Sequence, residues 1–318
     1  MRFLVTGANG FVGRPLCAEL LRQGHVVRAA IRSSAQLPDG VEAVSVGNID
    51  GDTDWADALQ DVEVVIHLAA RVHVMKDTAA DPRAEFLKVH LHGTMNLARQ
   101  AARTGVKRFV YVSSIKVNGE ETHGQRCYVE QDTPAPQDSY GVSKWQAEQA
   151  LRRIAQETKL EVVIVRPPLV YGPGVKGNFI SLLAALENGI PLPLAGANNK
   201  RSMVYVGNLA SALIACATHA AAVGQTYLVR DGEDVSTALL VEKIAGALGR
   251  KPRSFNLPSG LLRAAAKVLK RSAQVDRLFG SLRVNDAKLR NELGWVPPYT
   301  LEQGLRITAD WYLGKRHG

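Results

Sequence analysis

The sequence predicts an α/β protein: a doubly wound parallel sheet with a smaller, mainly helical C-terminal substrate domain. Three observations carry that expectation. Short β-branched runs alternate with longer helical stretches through the first half, a glycine-rich turn follows the first run, and composition shifts toward Pro and Gly after Arg166. Strand–helix alternation implies a parallel sheet covered on both faces. Ligands of such sheets sit at the carboxyl ends of the strands, where the strand order reverses.

Strands are expected at Phe3–Thr6, His25–Ile31, Val41–Val46, Val62–Leu68, Arg108–Ser113 and Glu161–Arg166, with helices at Arg14–Arg22, Trp55–Leu59, Ala84–Thr104 and Tyr140–Thr158. Pro167, Pro168, Gly172, Pro173, Gly174 and Gly177 then mark a loop-rich stretch. A strand and helix near Met203–Thr218 and a strand at Thr226–Arg230 read as a return to the sheet. The expected division is residues 1–166 plus about 203–230 for the dinucleotide-binding part. Residues 167–202 plus about 231–318 form the substrate-binding part.

The chain has 318 residues, 46% hydrophobic and 22% charged, enough to bury a core without disulfides or a structural metal. Its three cysteines, Cys17, Cys127 and Cys216, lack metal or redox spacing and suit the reducing cytoplasm. No run from Met1 forms a signal-peptide core, and Leu209–Val223 is too short to span a bilayer, so no integral membrane segment is expected. A formal charge of +9 favours anionic partners, nucleotides included. The basic residues are scattered, which argues against nucleic acid. The amphipathic, basic stretch Leu261–Arg271 reads as a core-packing helix, with an anionic membrane as the alternative.

Thr6-Gly7-Ala8-Asn9-Gly10-Phe11-Val12-Gly13 lies between the first strand and the first helix. Gly7 suits a tight turn, Gly10 a close backbone approach to pyrophosphate, and Gly13 helix–strand packing. The helix N-terminus offers free N–H groups to the anion, the arrangement of a Rossmann-type site. About 20 residues later, where NAD-selective sites carry an acid, stand Arg32, Ser33 and Ser34. A guanidinium suits a 2′-phosphate, so NADP(H) is favoured over NAD(H). Stacking of Arg32 on adenine, with both cofactors binding, is the alternative.

Tyr140 and Lys144 sit one helical turn apart, behind the capping candidates Asp138 and Ser139. The Lys144 charge is expected to lower the Tyr140 pKa. Val112-Ser113-Ser114 ends the fifth strand, placing a hydroxyl near the same substrate oxygen. Together these groups suit hydride transfer with proton exchange at a carbonyl or carbinol. His90 and His92, two apart on a helix, cannot form a metal pair, and no other cluster has metal-ligand spacing. His67 reads as a packed core residue.

The glycine loop, His67-Leu68-Ala69-Ala70, Gly93-Thr94, Ser113-Ser114, Tyr140/Lys144, Arg166-Pro167-Pro168, Tyr171-Gly172-Pro173 and Leu293-Gly294-Trp295 run along essentially the whole chain. In this pattern the chain resembles the extended short-chain dehydrogenases/reductases, in their nucleotide-sugar epimerase/dehydratase group. The resemblance implies that Ser114 and Tyr140 bind and protonate the substrate oxygen while Lys144 orients ribose. It places Asn48 and Ile49 beside adenine and Leu68, Ala69 and Ala70 along pyrophosphate and ribose, with Val112 and Pro167 completing the cofactor site. It assigns Ser113, Asn178 and Arg201 to a nucleotide-sugar substrate, with Arg277 or Arg283 as a second phosphate contact or as plain surface charge. It also implies a homodimer through the helices at Ala84–Thr104 and Tyr140–Thr158.

Departures narrow the expectation. Ile115-Lys116 replaces the Asp-Glu pair of sugar dehydratases, disfavouring dehydration, and His90 replaces the group's usual Asn. The pattern is similar to bacterial 4-reductases of O-antigen and exopolysaccharide synthesis, which implies NADPH-dependent reduction of a UDP-linked 4-keto-6-deoxy-N-acetylhexosamine. The alternatives are a UDP-hexose 4-epimerase holding NAD, a hydroxysteroid- or flavonol-type reductase, and a catalytically silent NADP(H)-binding regulator.

Overall fold

The computed structural model describes residues 1–33, 35–71, 81–257 and 279–317. Seven parallel strands form the main sheet in the order β3-β2-β1-β4-β5-β6-β9. They are β1 (Arg2–Thr6), β2 (Val26–Ile31), β3 (Glu42–Ser45), β4 (Val64–His67), β5 (Arg108–Val112), β6 (Glu161–Arg166) and β9 (Thr226–Leu228). The order reverses between β1 and β4, whose register pairs Thr6 with His67. That junction is where ligands of open α/β sheets bind.

Strand side chains alternate between the two faces. Phe3 and Val5 join a core with helices α1 (Gly13–Arg22) and α7 (Val206–Thr218), while Leu4 joins the opposite core. That second core is closed by α2 (Ala56–Leu59), α4 (Thr94–Arg103) and α5 (Ser139–Glu157). Near-continuous apolar strands such as Glu161-Val-Val-Ile-Val-Arg166 are what a sheet buried on both faces requires.

Two expectations change. The segment expected as one helix at Ala84–Thr104 is three: α3 (Pro82–Leu87), a π-helical turn at Lys88–Gly93, and α4. The strand near Met203 does not return to the main sheet. β8 (Arg201–Tyr205) pairs with β7 (Leu169–Tyr171) and β10 (Asp234–Val235) in a separate three-stranded sheet, and only the following α7 goes back to the main sheet. The reason lies in burial. Met203 and Tyr205 pack with Tyr171, Phe179, Leu183 and Leu305 in a third core built with α6 (Asn178–Glu187), α8 (Thr237–Ala247) and the helix Leu301–His317. Among the described residues, no helix is long and apolar enough to cross a membrane. The stretch Leu261–Arg271 lies outside the described residues.

Candidate active site

Gly7 takes φ +68°, a left-handed conformation that favours glycine, and its carbonyl accepts from Gly10 N–H at 2.9 Å. A Cβ on Gly13 would lie 2.2 Å from Gly7 O and 2.6 Å from Ala8 Cα, so only glycine lets α1 start this close to β1. The α1 N-terminus has no side-chain cap and no acid in its first turn, leaving N–H groups and the positive end of the dipole for an anion. This cradle fits a dinucleotide pyrophosphate. Phe11 and Val12 extend from it onto the third core, linking the cradle to the second sheet.

The segment after β4 is drawn to the same place. Thr6 Oγ1 accepts from Ala69 N–H at 3.1 Å and meets His67 Nδ1 at 2.7 Å, while His67 Nε2 meets Thr94 Oγ1 at 3.0 Å. His67 is thus a buried structural residue, as expected, and burial pushes its pKa to about 3. Asn48 and Ile49 lie in a loop closed by Thr53, whose hydroxyl donates to Asn48 O at 2.7 Å. Arg32 and Ser33 are exposed just past β2, and no described residue makes a hydrogen bond or ion pair with the Arg32 guanidinium. Ser34 lies outside the described residues.

The candidate reacting groups come from the end of β5 and the start of α5. Asp138 caps α5 by accepting from Gly141 N–H at 2.7 Å. Tyr140 and Lys144 follow on one face, and the Ser114 hydroxyl, which accepts from Lys116 N–H at 3.3 Å, lies close enough to the Tyr140 hydroxyl to act on its pKa. The β5–β6 ladder continues past the strands, with Ser113 N–H donating to Val165 O at 2.8 Å and Ile115 N–H to Pro167 O at 3.0 Å. It thereby holds Ser114 and Pro167 side by side.

The electrostatics correct one expectation. Lys144 does not lower the Tyr140 pKa. Burial, then the Asp138 charge, raises it to about 12, opposed by the Ser114 hydrogen bond. The Lys144 ammonium donates to Val112 O at 3.0 Å and lies over the Tyr111 ring, 4.8 Å from its centroid. Burial lowers its own pKa to about 7. Desolvation is the largest cause for both groups, with the Glu148 charge opposing it at Lys144.

Ser113 is not brought to the substrate side by its hydroxyl, which donates to Glu148 Oε1 at 2.6 Å. Glu148 is fully buried and paired with Arg166 at 2.5 Å, and Arg166 also donates to Asn118 Oδ1 at 3.0 Å. Sequence reasoning missed Glu148, although it follows Lys144 by one helical turn on the Tyr140 face.

Lys116 pairs with Glu120 at 2.9 Å and with Asp138, which secures the Ser114 turn to the α5 N-terminus. Asn178 is exposed at the uncapped start of α6, and Arg201 donates to Gly280 O at 2.9 Å. Arg283 is committed to Asp234 at 2.9 Å and to Gln125 at 3.0 Å, so it is no free phosphate ligand. Arg277 lies outside the described residues. Among them, no group of His, Cys, Asp and Glu is arranged for a metal.

A glycine cradle at the strand-order reversal, with a serine–tyrosine–lysine set after a parallel strand of the same sheet, defines an oxidoreductase dependent on a nicotinamide dinucleotide. The particular lineage follows from comparison, since residues 3–229 match the model of the NAD dependent epimerase/dehydratase family, and the chain belongs to that family. It is 43% identical over 312 residues to a UDP-glucose 4-epimerase of Vibrio cholerae, covering 98% of this chain and 95% of the relative. It is 28% identical to an N-acetyl-alpha-D-glucosaminyl-diphospho-ditrans,octacis-undecaprenol 4-epimerase of Escherichia coli O157:H7, over 97% of this chain and 94% of that one. Among solved structures, MoeE5 in complex with UDP-glucuronic acid and NAD aligns over both full chains with TM-score 0.79 and 26% identity.

Proposed function

We propose that the protein reduces the C4 ketone of a UDP-linked 4-keto-6-deoxy-N-acetylhexosamine, using NADPH, in the cytoplasmic assembly of a surface polysaccharide. The observation that carries the NADPH choice is Arg32, an exposed guanidinium past β2 where a 2′-hydroxyl site would carry an acid. When bound, the nicotinamide supplies the hydride. Gly7–Gly13, Asn48, Ile49 and Leu68–Ala70 hold the dinucleotide. Ser114 donates a hydrogen bond to the C4 oxygen, and Tyr140 delivers the proton as negative charge develops there. Lys144, one turn along, turns its ammonium toward ribose. Asn178 and Arg201 face the diphosphate from the part formed by residues 167–202 and about 231–318.

A second reading is a UDP-hexose 4-epimerase that retains NAD, favoured by the 43% identity to the Vibrio cholerae protein. One pair of assays separates them. NADPH consumption with UDP-4-keto-6-deoxy-N-acetylglucosamine, fast against NADH, supports the reductase; UDP-glucose and UDP-galactose interconverting without net cofactor turnover overturns it. In either, Tyr140→Phe lowers kcat by about 10²–10⁴-fold with cofactor binding retained. Arg32→Ala cuts NADPH preference by about 10- to 100-fold, the worth of charged hydrogen bonds.

The same reading includes a homodimer through α4 and α5. A groove of about 240 Å³ between them is lined by Leu91, Met95, Ala150 and Ile154, with Arg153 and Glu157 at hand for a charged pair. Light scattering tests it, and Ala150→Glu is expected to give monomers.

A further inference from the structure

His90 is buried, 1% exposed, in the π-helical turn between α3 and α4. Such turns widen a helix and commonly mark functional sites. Three hydrogen bonds assign its protons. The Arg71 backbone N–H reaches His90 Nε2 at 2.9 Å. An amide only donates, so Nε2 carries no hydrogen. The neutral ring then holds its proton on Nδ1, which faces Ser143 Oγ at 2.8 Å and donates to it. That leaves the Ser143 hydroxyl hydrogen for the Tyr140 carbonyl oxygen, also at 2.8 Å. The row therefore has a single direction, from the Arg71 amide to the Tyr140 carbonyl.

A second contact reinforces the first. The His90 ring meets the Tyr140 ring edge-on, with centroids 5.4 Å apart at 83°, and Phe86 backs it at 5.6 Å. One imidazole thus touches Tyr140 through its ring and, by way of Ser143, through its backbone. Its other nitrogen fixes the chain just beyond Leu68–Ala70.

We propose that His90 is a positioning residue: through Ser143 it sets Tyr140 against Ser114 and locks that corner to the dinucleotide-lining segment after β4. This rests on the role assigned to Tyr140 above. Burial, and the nearby charges of Lys144, His67 and Arg71, hold the His90 pKa at about 2, so the directed row persists wherever the protein works. Displacing a reacting group by about an ångström can cost on the order of 10²-fold in rate.

Two measurements on the full chain test this. Nitrogen-15 spectra of histidine-labelled protein, with His90→Asn assigning the signal, should show a neutral Nδ1–H ring that does not titrate between about pH 5 and 8. An Nε2–H ring, or titration in that window, overturns the proposal without reference to turnover.

In kinetics, Ser143→Ala should lower kcat by about 10-fold and His90→Ala by about 100-fold, with KM within about twofold, and the double variant should lose no more than His90→Ala. Losses that multiply overturn the coupling. Should His90→Ala fold poorly, His90→Asn serves, since its amide can donate to Ser143, and it should restore most of kcat. Wild-type protein that turns over neither sugar class refutes the functional reading alone, because the spectra still decide the relay.

Discussion

The glycine corner at β1–α1 and the serine–tyrosine corner at β5–α5 both lie at the carboxyl ends of parallel strands of one sheet but are built by different physics. The glycine corner is held by backbone sterics, mostly among chain neighbours: Gly7 at φ +68°, and Gly13 with its missing Cβ against Gly7 O. The other corner is held by side chains from distant segments. Glu148 on α5 binds Ser113 after β5 and Arg166 at the end of β6, and Arg166 binds Asn118. The first can be spoiled by adding a methyl group. The second is spoiled by taking the buried partner from a buried charge.

That contrast can be broken at several points. The largest effect is expected from Arg166→Met, which takes the buried partner from the Glu148 carboxylate, itself at 0% side-chain exposure, and leaves it to Ser113 and the partly exposed Arg152 at 3.2 Å. Breaking a buried pair in this way costs about 3–5 kcal/mol, read by urea unfolding. Gly13→Ala comes next, at about 1–3 kcal/mol of overpacking, with dinucleotide affinity lost because its contact is backbone and cannot swing away.

Lys144 sharpens the electrostatic side. Its folded pKa of about 7 lies below the ordinary 10.5. Between those values the unfolded chain binds the proton and the folded chain does not. The free protein therefore gains stability from this group as pH rises through the window, by at most about 1.4 kcal/mol per pH unit. Lys144→Met should remove that slope from unfolding curves measured at several pH values; an unchanged slope would place the titration elsewhere. The smallest effect is Asp138→Ala, about 1 kcal/mol from a lost helix cap, seen as a lower Tm.

The two corners were not equally legible. The Gly7-x-x-Gly10-x-x-Gly13 spacing specifies its own turn, because Gly7 takes a left-handed φ and Gly10 and Gly13 would each press a Cβ on Gly7 O. Tyr140 and Lys144 were legible for the same reason, since helical periodicity puts them on one face. Strand β6 was expected at Glu161–Arg166 and is found there, an apolar run between a turn and two prolines. Apolar spacing predicts one continuous helix at Ala84–Thr104 because it does not reveal a change of hydrogen-bond ladder. Gly93 explains part of the break: a Cβ there would come within 2.6 Å of Ile49 Cγ2, so the turn is pressed against a loop more than forty residues earlier.

By itself the sequence determined the strand–helix alternation, the glycine turn, and the candidate serine, tyrosine and lysine at the end of β5 and the start of α5. Each depends on periodicity or on clashes between chain neighbours. Only the tertiary structure decided that β8 pairs outside the main sheet and that Ser113 turns its hydroxyl to Glu148. It also decided that Lys144 points at Val112 O and that His90 carries its proton on Nδ1. Those outcomes depend on which polar groups are buried together and how completely water is removed from them, and folding settles both between residues far apart in the chain.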